Sequence, residues 1–205
     1  IKIINMDKTH TILVHLNLKA ENFEFYQCNY DKIIIAVNML HLFKLINSID
    51  NDDTLTIYIE KDDYNDGVVS ELGLKFENGD IKQSKIQKLK LIEPEEEQMD
   101  LPDIKYSSVI NMPSSDFQKI VRDLANISEK LEIKSVGEEL IFKCCGQYAK
   151  AEIRRSETSG TNSMQFLQKQ NPDDIIQGEF SLKNLVYFIK CTNLCSQIEI
   201  FLKNN

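Results

Sequence analysis

Met112-Pro113-Ser114-Ser115-Asp116-Phe117-Gln118-Lys119-Ile120-Val121-Arg122-Asp123-Leu124 decides how this chain is read. Phe117, Ile120, Val121 and Leu124 recur at i, i+3, i+4 and i+7, which places them on one stripe of a helix. Lys119 and Arg122 follow the first stripe residue by two and five positions. At about 100° per residue both lie nearly opposite the stripe, so a helix packed by its apolar side presents cations outward. Ser114 or Ser115 suits the N-cap, where a hydroxyl accepts from free amides of the first turn.

The same pattern occurs twice more. After Asn38 come Leu42, Leu45, Ile46 and Ile49; after Ser181 come Leu182, Leu185, Val186 and Ile189. Asn38 and Ser181 are the corresponding N-caps. Lys44 lies opposite the first stripe, while Lys183 and Lys190, nearly two turns apart, flank the third. Each helix is entered from an apolar strand (33–37, 108–110, 175–180) and left through another (55–59, 131–133, 198–202). The helix starts lie roughly 70 residues apart, as in an internal repeat. Residues 11–18 and 140–142 also alternate as half-buried strands, and turns are marked at Asn51-Asp52-Asp53, Asp66-Gly67, Asn78-Gly79-Asp80 and Val136-Gly137. From these residues alone, the outward cations fit either ordinary solvated faces or a surface for an anion.

The bulk numbers narrow the classes. With 205 residues, 42% hydrophobic, the chain can bury one large core or two smaller ones. No apolar run approaches the roughly 18–20 residues that span a bilayer, so a soluble protein without a membrane partner is expected. The formal charge is −8, from 24 Lys+Arg against 32 Asp+Glu, so any nucleic-acid surface must be a segregated basic face. Cys28, Cys144, Cys145, Cys191 and Cys195 form no C-x-x-C pair, and His10, His15 and His41 lie far from them. Neither a metal nor a cofactor is expected, and the thiols are expected to be reduced and mostly buried. Two prolines and Glu95-Glu96-Glu97 make residues 92–103 an acidic extended linker, in which Met99 and Leu101 are the apolar exceptions. The chain opens on Ile1 and closes just after an apolar run, which suggests a trimmed chain.

Several ordered motifs resemble the proliferating cell nuclear antigen family of DNA sliding clamps. Asn5-Met6-Asp7-Lys8-Thr9-His10 followed by Leu13-Val14 is similar to its "MD-x-S-H-x-x-L-V" segment. Phe23 and Tyr26-x-Cys28 continue as "GF-x-x-Y-x-C", and Val37-Asn38 with Asn51-Asp52-Asp53 match its helix entry and following turn. The most specific match is Met112–Phe117 with Ile120, Arg122-Asp123-Leu124 and Ile127, similar to "MPS-x-EF-x-x-I-x-RDL-x-x-I". The resemblance runs from Ile3 to about Ser156, weakens from Glu157 to Gly178 and returns at 180–200.

The resemblance implies an α+β clamp fold of antiparallel sheets with pore-lining helices: domains at 1–91 and 104–205 joined by a connector at 92–103. It implies a non-enzymatic homotrimeric ring around double-stranded DNA. Lys44, Lys119, Arg122, Lys183, Lys190 and, more weakly, Lys82 would meet the phosphate backbone without reading sequence. Met6, His10, Leu13, Met99 and Leu101 match the pocket for short partner peptides, through which polymerases, flap endonucleases and ligases dock in relatives. A clamp loader would open the ring. Ser84, Ile86 and Lys88 on one edge strand would pair with Ala151 and Ile153 on a neighbour's. The nucleus, or a cytoplasmic replication site for a viral protein, is the implied location.

The departures are specific. The family's first strand and helix and its C-terminal strands have no counterpart here. The position of a lysine modified in many relatives falls at about Gly137, where no lysine stands, and Ile86 replaces an interface aromatic. Alternatives within the fold are a checkpoint-type heterotrimer subunit and a non-ring viral processivity factor. A small α+β hydrolase is disfavoured, because no histidine accompanies a nucleophile motif and no glycine-rich phosphate loop occurs.

Overall fold

The computed structural model describes residues 1–9, 11–94, 104–160, 163–168, 171 and 173–204. The chain divides into two compact units, Ile1–Leu101 and Pro102–Asn205.

Unit 1 opens with a hairpin of β1 (Lys2–Met6) and β2 (Leu13–Asn17), paired antiparallel from Lys2↔Asn17 to Met6↔Leu13. Its elements continue with α1 (Met39–Ile46), β3 (Thr54–Tyr58), the short hairpin β4 (Tyr64–Asn65) and β5 (Val68–Val69), β6 (Glu71–Asn78) and β7 (Gln83–Lys90). Positive φ at Asp66 and Gly67 gives the β4–β5 hairpin the turn that matches strand twist. The sheet order is β3-β6-β7, and β7 pairs only with β6 among the described residues. In β6, Leu72, Leu74 and Phe76 alternate inward and meet Leu89 of β7, forming the buried core of this unit. Gly73 lies opposite Tyr58, whose ring covers the backbone where a Cβ would collide.

Unit 2 contains β8 (Ser108–Pro113), α2 (Ser114–Ala125), β9 (Lys130–Val136), β10 (Glu139–Cys145), β11 (Lys150–Ser156), β12 (Gln165–Gln168), β13 (Ile175–Ser181), α3 (Leu182–Phe188) and β14 (Gln197–Leu202). Two antiparallel sheets result, ordered β11-β10-β9-β13 and β12-β8-β14. The β9–β10 hairpin turns at Gly137, whose φ of 55° favours glycine. One core joins both sheets and the helices: Ile110 and Met112, Phe117, Ile120, Val121 and Leu124 of α2, Leu131, Leu140, Phe142 and Leu182 are all buried in it. Each such side chain contributes about 1.5–3 kcal/mol by leaving water. Inside this core, the hydroxyls of Ser108 and Ser135 lie 3.1 Å apart, both buried, so each satisfies the other.

Several expectations are corrected. Residues 11–18 are expected to be half-buried, yet every residue of β2 is exposed, and its sheet holds no third strand among the described residues. Residues 33–37 form no strand beyond an isolated bridge from Ala36 to Ile92. Only Cys144 is buried among the thiols. Cys145 points to the other face of β10, and Cys191 and Cys195 sit on and just past an exposed 3-10 turn. No helix among the described residues is long and apolar enough to cross a membrane.

Candidate nucleic-acid interface and partner pocket

α2 fulfils its sequence pattern. Phe117, Ile120, Val121 and Leu124 are buried, and Lys119 and Arg122 are exposed on the opposite face. Neither cation enters an ion pair among the described residues, so both charges are available to a ligand. The start of the helix differs from expectation. Pro113 holds the cap position without a side-chain bond, and Ser114 is buried, donating its hydroxyl to the Cys195 carbonyl at 2.6 Å. Ser114 therefore ties α2 to the segment before β14 instead of closing its first turn.

α3 packs against α2, and Gln118 links α2 to the 3-10 turn that follows α3 by donating to the Ile189 carbonyl at 3.0 Å and to Thr192 Oγ1 at 2.7 Å. Lys183 is exposed in the first turn of α3. Lys190 does not continue that helix: α3 ends at Phe188 and Lys190 lies in a 3-10 turn, Ile189–Asn193. Its ammonium sits 5.5 Å from the Tyr187 ring centroid, a cation–π contact that holds the charge at the surface. Ser181 occupies the N-cap position without a capping bond.

α1 is capped as read, with Asn38 Oδ1 accepting from the amides of Leu40 at 3.1 Å and His41 at 3.2 Å. Its packing is weaker than the pattern implied. Leu42, Leu45 and Ile49 lean on the unit 1 core, but no residue of α1 is buried. Lys44 is exposed beside Leu40 and Phe43, which are 61% and 62% exposed. Lys82 stands on no helix: it lies in the β6–β7 turn with φ of 51°.

Of the partner-pocket residues, Met6 is half-buried and Leu13 exposed, facing each other across the β1–β2 register. His10, Met99 and Leu101 lie outside the described residues, as does the connector from 95 to 103. The turn between the two strands is held by Asp7, which sequence reading passed over although Asp-x-Thr-x-Thr marks a side chain bonding its own turn.

β7 and β11, the strands expected to meet between copies, are both edge strands, each hydrogen-bonded on one side only among the described residues. Ser84 is exposed and Ile86 is 60% exposed. Lys88 is turned to its own unit, with its ammonium 2.6 Å from Glu60, 3.0 Å from Asp63 and 3.8 Å from Glu71. Glu60 first, and then Asp63, raise its pKa well above the usual lysine range. Ala151 and Ile153 lean on the unit 2 core. On the other face of β11, Arg154 meets Glu152 at 2.6 Å and Glu139 at 3.1 Å. Arg155 pairs with Asp116 in the first turn of α2.

Two α+β units of antiparallel sheet, with helices holding cations outward, define a clamp-class fold. The N-terminal domain of proliferating cell nuclear antigen matches residues 1–100 and its C-terminal domain residues 100–205. A probable DNA polymerase sliding clamp of Acanthamoeba polyphaga mimivirus is 31% identical over 205 residues, covering 100% of this chain and 42% of that protein. The proliferating cell nuclear antigen of Chaetomium thermophilum is 30% identical, covering 97% of this chain and 74% of its own length. A probable sliding clamp of Paramecium bursaria Chlorella virus 1 is 32% identical, covering 100% and 76%. The chain therefore belongs to the proliferating cell nuclear antigen family of DNA sliding clamps.

Proposed function

We propose that this chain is a subunit of a homotrimeric ring that encircles duplex DNA and tethers a DNA polymerase, without catalysing a reaction itself. The observation that carries this reading is α2, whose apolar stripe is buried while Lys119 and Arg122 stand exposed and, among the described residues, outside any ion pair, in a sliding-clamp family member. Lys44, Lys183 and Lys190 supply further cations from helices and their ends, with Lys82 on a turn. Backbone-only contact by such residues gives affinity without sequence preference, which sliding along DNA requires.

In this reading Met6, His10 and Leu13, with Met99 and Leu101 of the connector, receive short peptides of polymerases, flap endonucleases and ligases. Edge strands β7 and β11 of neighbouring copies pair to close the ring, which a loader opens, at the site of DNA replication: the nucleus, or a viral replication site. Support comes from the exposed backbone edges of both strands and from two viral relatives named as probable sliding clamps. Replacing Lys119, Arg122 and Lys190 together by Ala tests the pore assignment. Retention on circular DNA and polymerase processivity should fall while the trimer mass holds. Undiminished processivity would refute it.

A further inference from the structure

Asp7 directly follows β1 and fastens the return of the chain to Leu13. Its Oδ1 accepts from the backbone amides of Thr11 at 2.8 Å and Ile12 at 2.7 Å. Oδ2 accepts from the Thr9 amide at 3.3 Å, from the Thr11 hydroxyl at 3.2 Å and, at close range, from the Thr9 hydroxyl. The Asp7 amide in turn donates to the Ile12 carbonyl at 3.0 Å. One carboxylate thus gathers three amides and two hydroxyls. The Thr9 hydroxyl first, and the Ile12 amide next, hold this carboxyl well below the usual carboxylate range.

Two facts give this clamp a role beyond turn chemistry. The residues immediately outside it, Met6 and Leu13, face each other in register and belong to the proposed peptide pocket. The β1–β2 hairpin also has no third strand among the described residues, and β2 is exposed throughout. Core packing therefore does little to fix the turn, and the carboxylate does most of it. A turn that is ordered before binding spares the complex the entropy of ordering it.

We propose that Asp7 is a positioning residue for the partner peptide: it sets Met6 and Leu13 in binding geometry before the peptide arrives. The inference rests on the pocket reading above. It extends that reading to a residue that need not touch the ligand.

The test is anisotropy titration of a labelled synthetic peptide carrying one aliphatic and two aromatic anchors, with hydrogen exchange of the Ile12 amide in the free protein. Asp7→Ala should weaken binding about tenfold and Asp7→Asn about threefold, with exchange accelerating in the same order. Asparagine keeps an acceptor for the Thr11 and Ile12 amides but cannot accept from Thr9. Leu13→Glu is the control for the pocket. If it binds normally, the pocket reading fails and Asp7's role with it. If it abolishes binding while Asp7→Ala binds as wild type, the pocket stands and the positioning role is overturned. Equal losses in Asp7→Ala and Asp7→Asn, with Ile12 exchange unchanged, would mean direct contact and also overturn it. Should Asp7→Ala fail to fold, Thr9→Val with Thr11→Val decides, because it removes only hydroxyl donors. About threefold weaker binding with faster exchange supports the clamp; normal affinity despite faster exchange refutes it.

Discussion

The side-chain amide of Gln118 bridges α2 to the turn after α3, donating to Thr192 Oγ1 at 2.7 Å and to the Ile189 carbonyl at 3.0 Å. This half-buried link orients the turn that carries Lys190. Gln118→Ala should cost about 1–3 kcal/mol, because it leaves acceptors without their donor in a partly desolvated site. Thr192→Val should cost less, since the amide retains the Ile189 carbonyl. Urea titrations of both variants check the order; a larger loss from Thr192→Val would contradict it.

Both edge strands are cationic. Lys85, Lys88 and Lys90 lie on β7, and Lys150, Arg154 and Arg155 accompany Glu152 on β11. Lys88, Arg154 and Arg155 are already paired within their own units, but Lys85, Lys90 and Lys150 enter no ion pair among the described residues. If these edges pair between copies, those three like charges approach and screening relieves them. Raising sodium chloride from about 50 to 300 mM should tighten the proposed trimer roughly two- to fivefold, the reverse of the effect expected on the proposed DNA contact. Sedimentation across that series measures it. Weaker association at higher salt would exclude the charge balance described for these strands.

The units differ in what they bury. Unit 1 keeps Leu72, Leu74, Phe76 and Leu89 in its core, whereas the unit 2 core continues from Ile110 through α2 to Leu202. In this 205-residue chain, amides of β9 and β10 should exchange about a hundredfold or more slowly than those of β1 and β2. Hydrogen exchange by mass spectrometry reads both; comparable protection would show that the hairpin gains order elsewhere.

Glu152 accepts from Lys143 at 2.8 Å and from Arg154 at 2.6 Å. Lys143 first, then Arg154, lowers its pKa. Because the folded value is depressed, this stabilisation is complete above the ordinary glutamate pKa and fades as pH falls through the folded one. Glu152→Gln should therefore lie closest to wild type in stability at about pH 3 and furthest below it near neutrality. Denaturation midpoints across that range provide the check, and a pH-independent gap would mean that the pairing contributes nothing.

How much of this was legible depended on packing. Phe117 to Leu124 could be read because α2 is fully engaged: a buried stripe leaves a strict period, and the cations fall opposite it. The stripe of α1 was equally regular, yet Leu42 and Leu45 are only half-buried, since a pattern records which face prefers a core and not whether a core is there. Ser114 fits a cap by residue type, but a carbonyl from Cys195, distant in sequence, took its hydroxyl. Lys190 kept helical spacing although α3 had already tightened into a 3-10 turn, a change of about 1 residue per two turns that periodicity does not resolve. Asp7 was passed over because its partners are mainly backbone amides, which every residue carries.

The paired hydroxyls of Ser108 and Ser135 constrain how this chain can change over time. A single apolar replacement leaves the surviving hydroxyl dry and unsatisfied, at about 1–3 kcal/mol, whereas replacing both with apolar groups of like size can be nearly neutral. The two sites are 27 residues apart in sequence but should drift as one. Each substitution should be deleterious alone and nearly neutral beside the other, so change at these two positions should be strongly coupled.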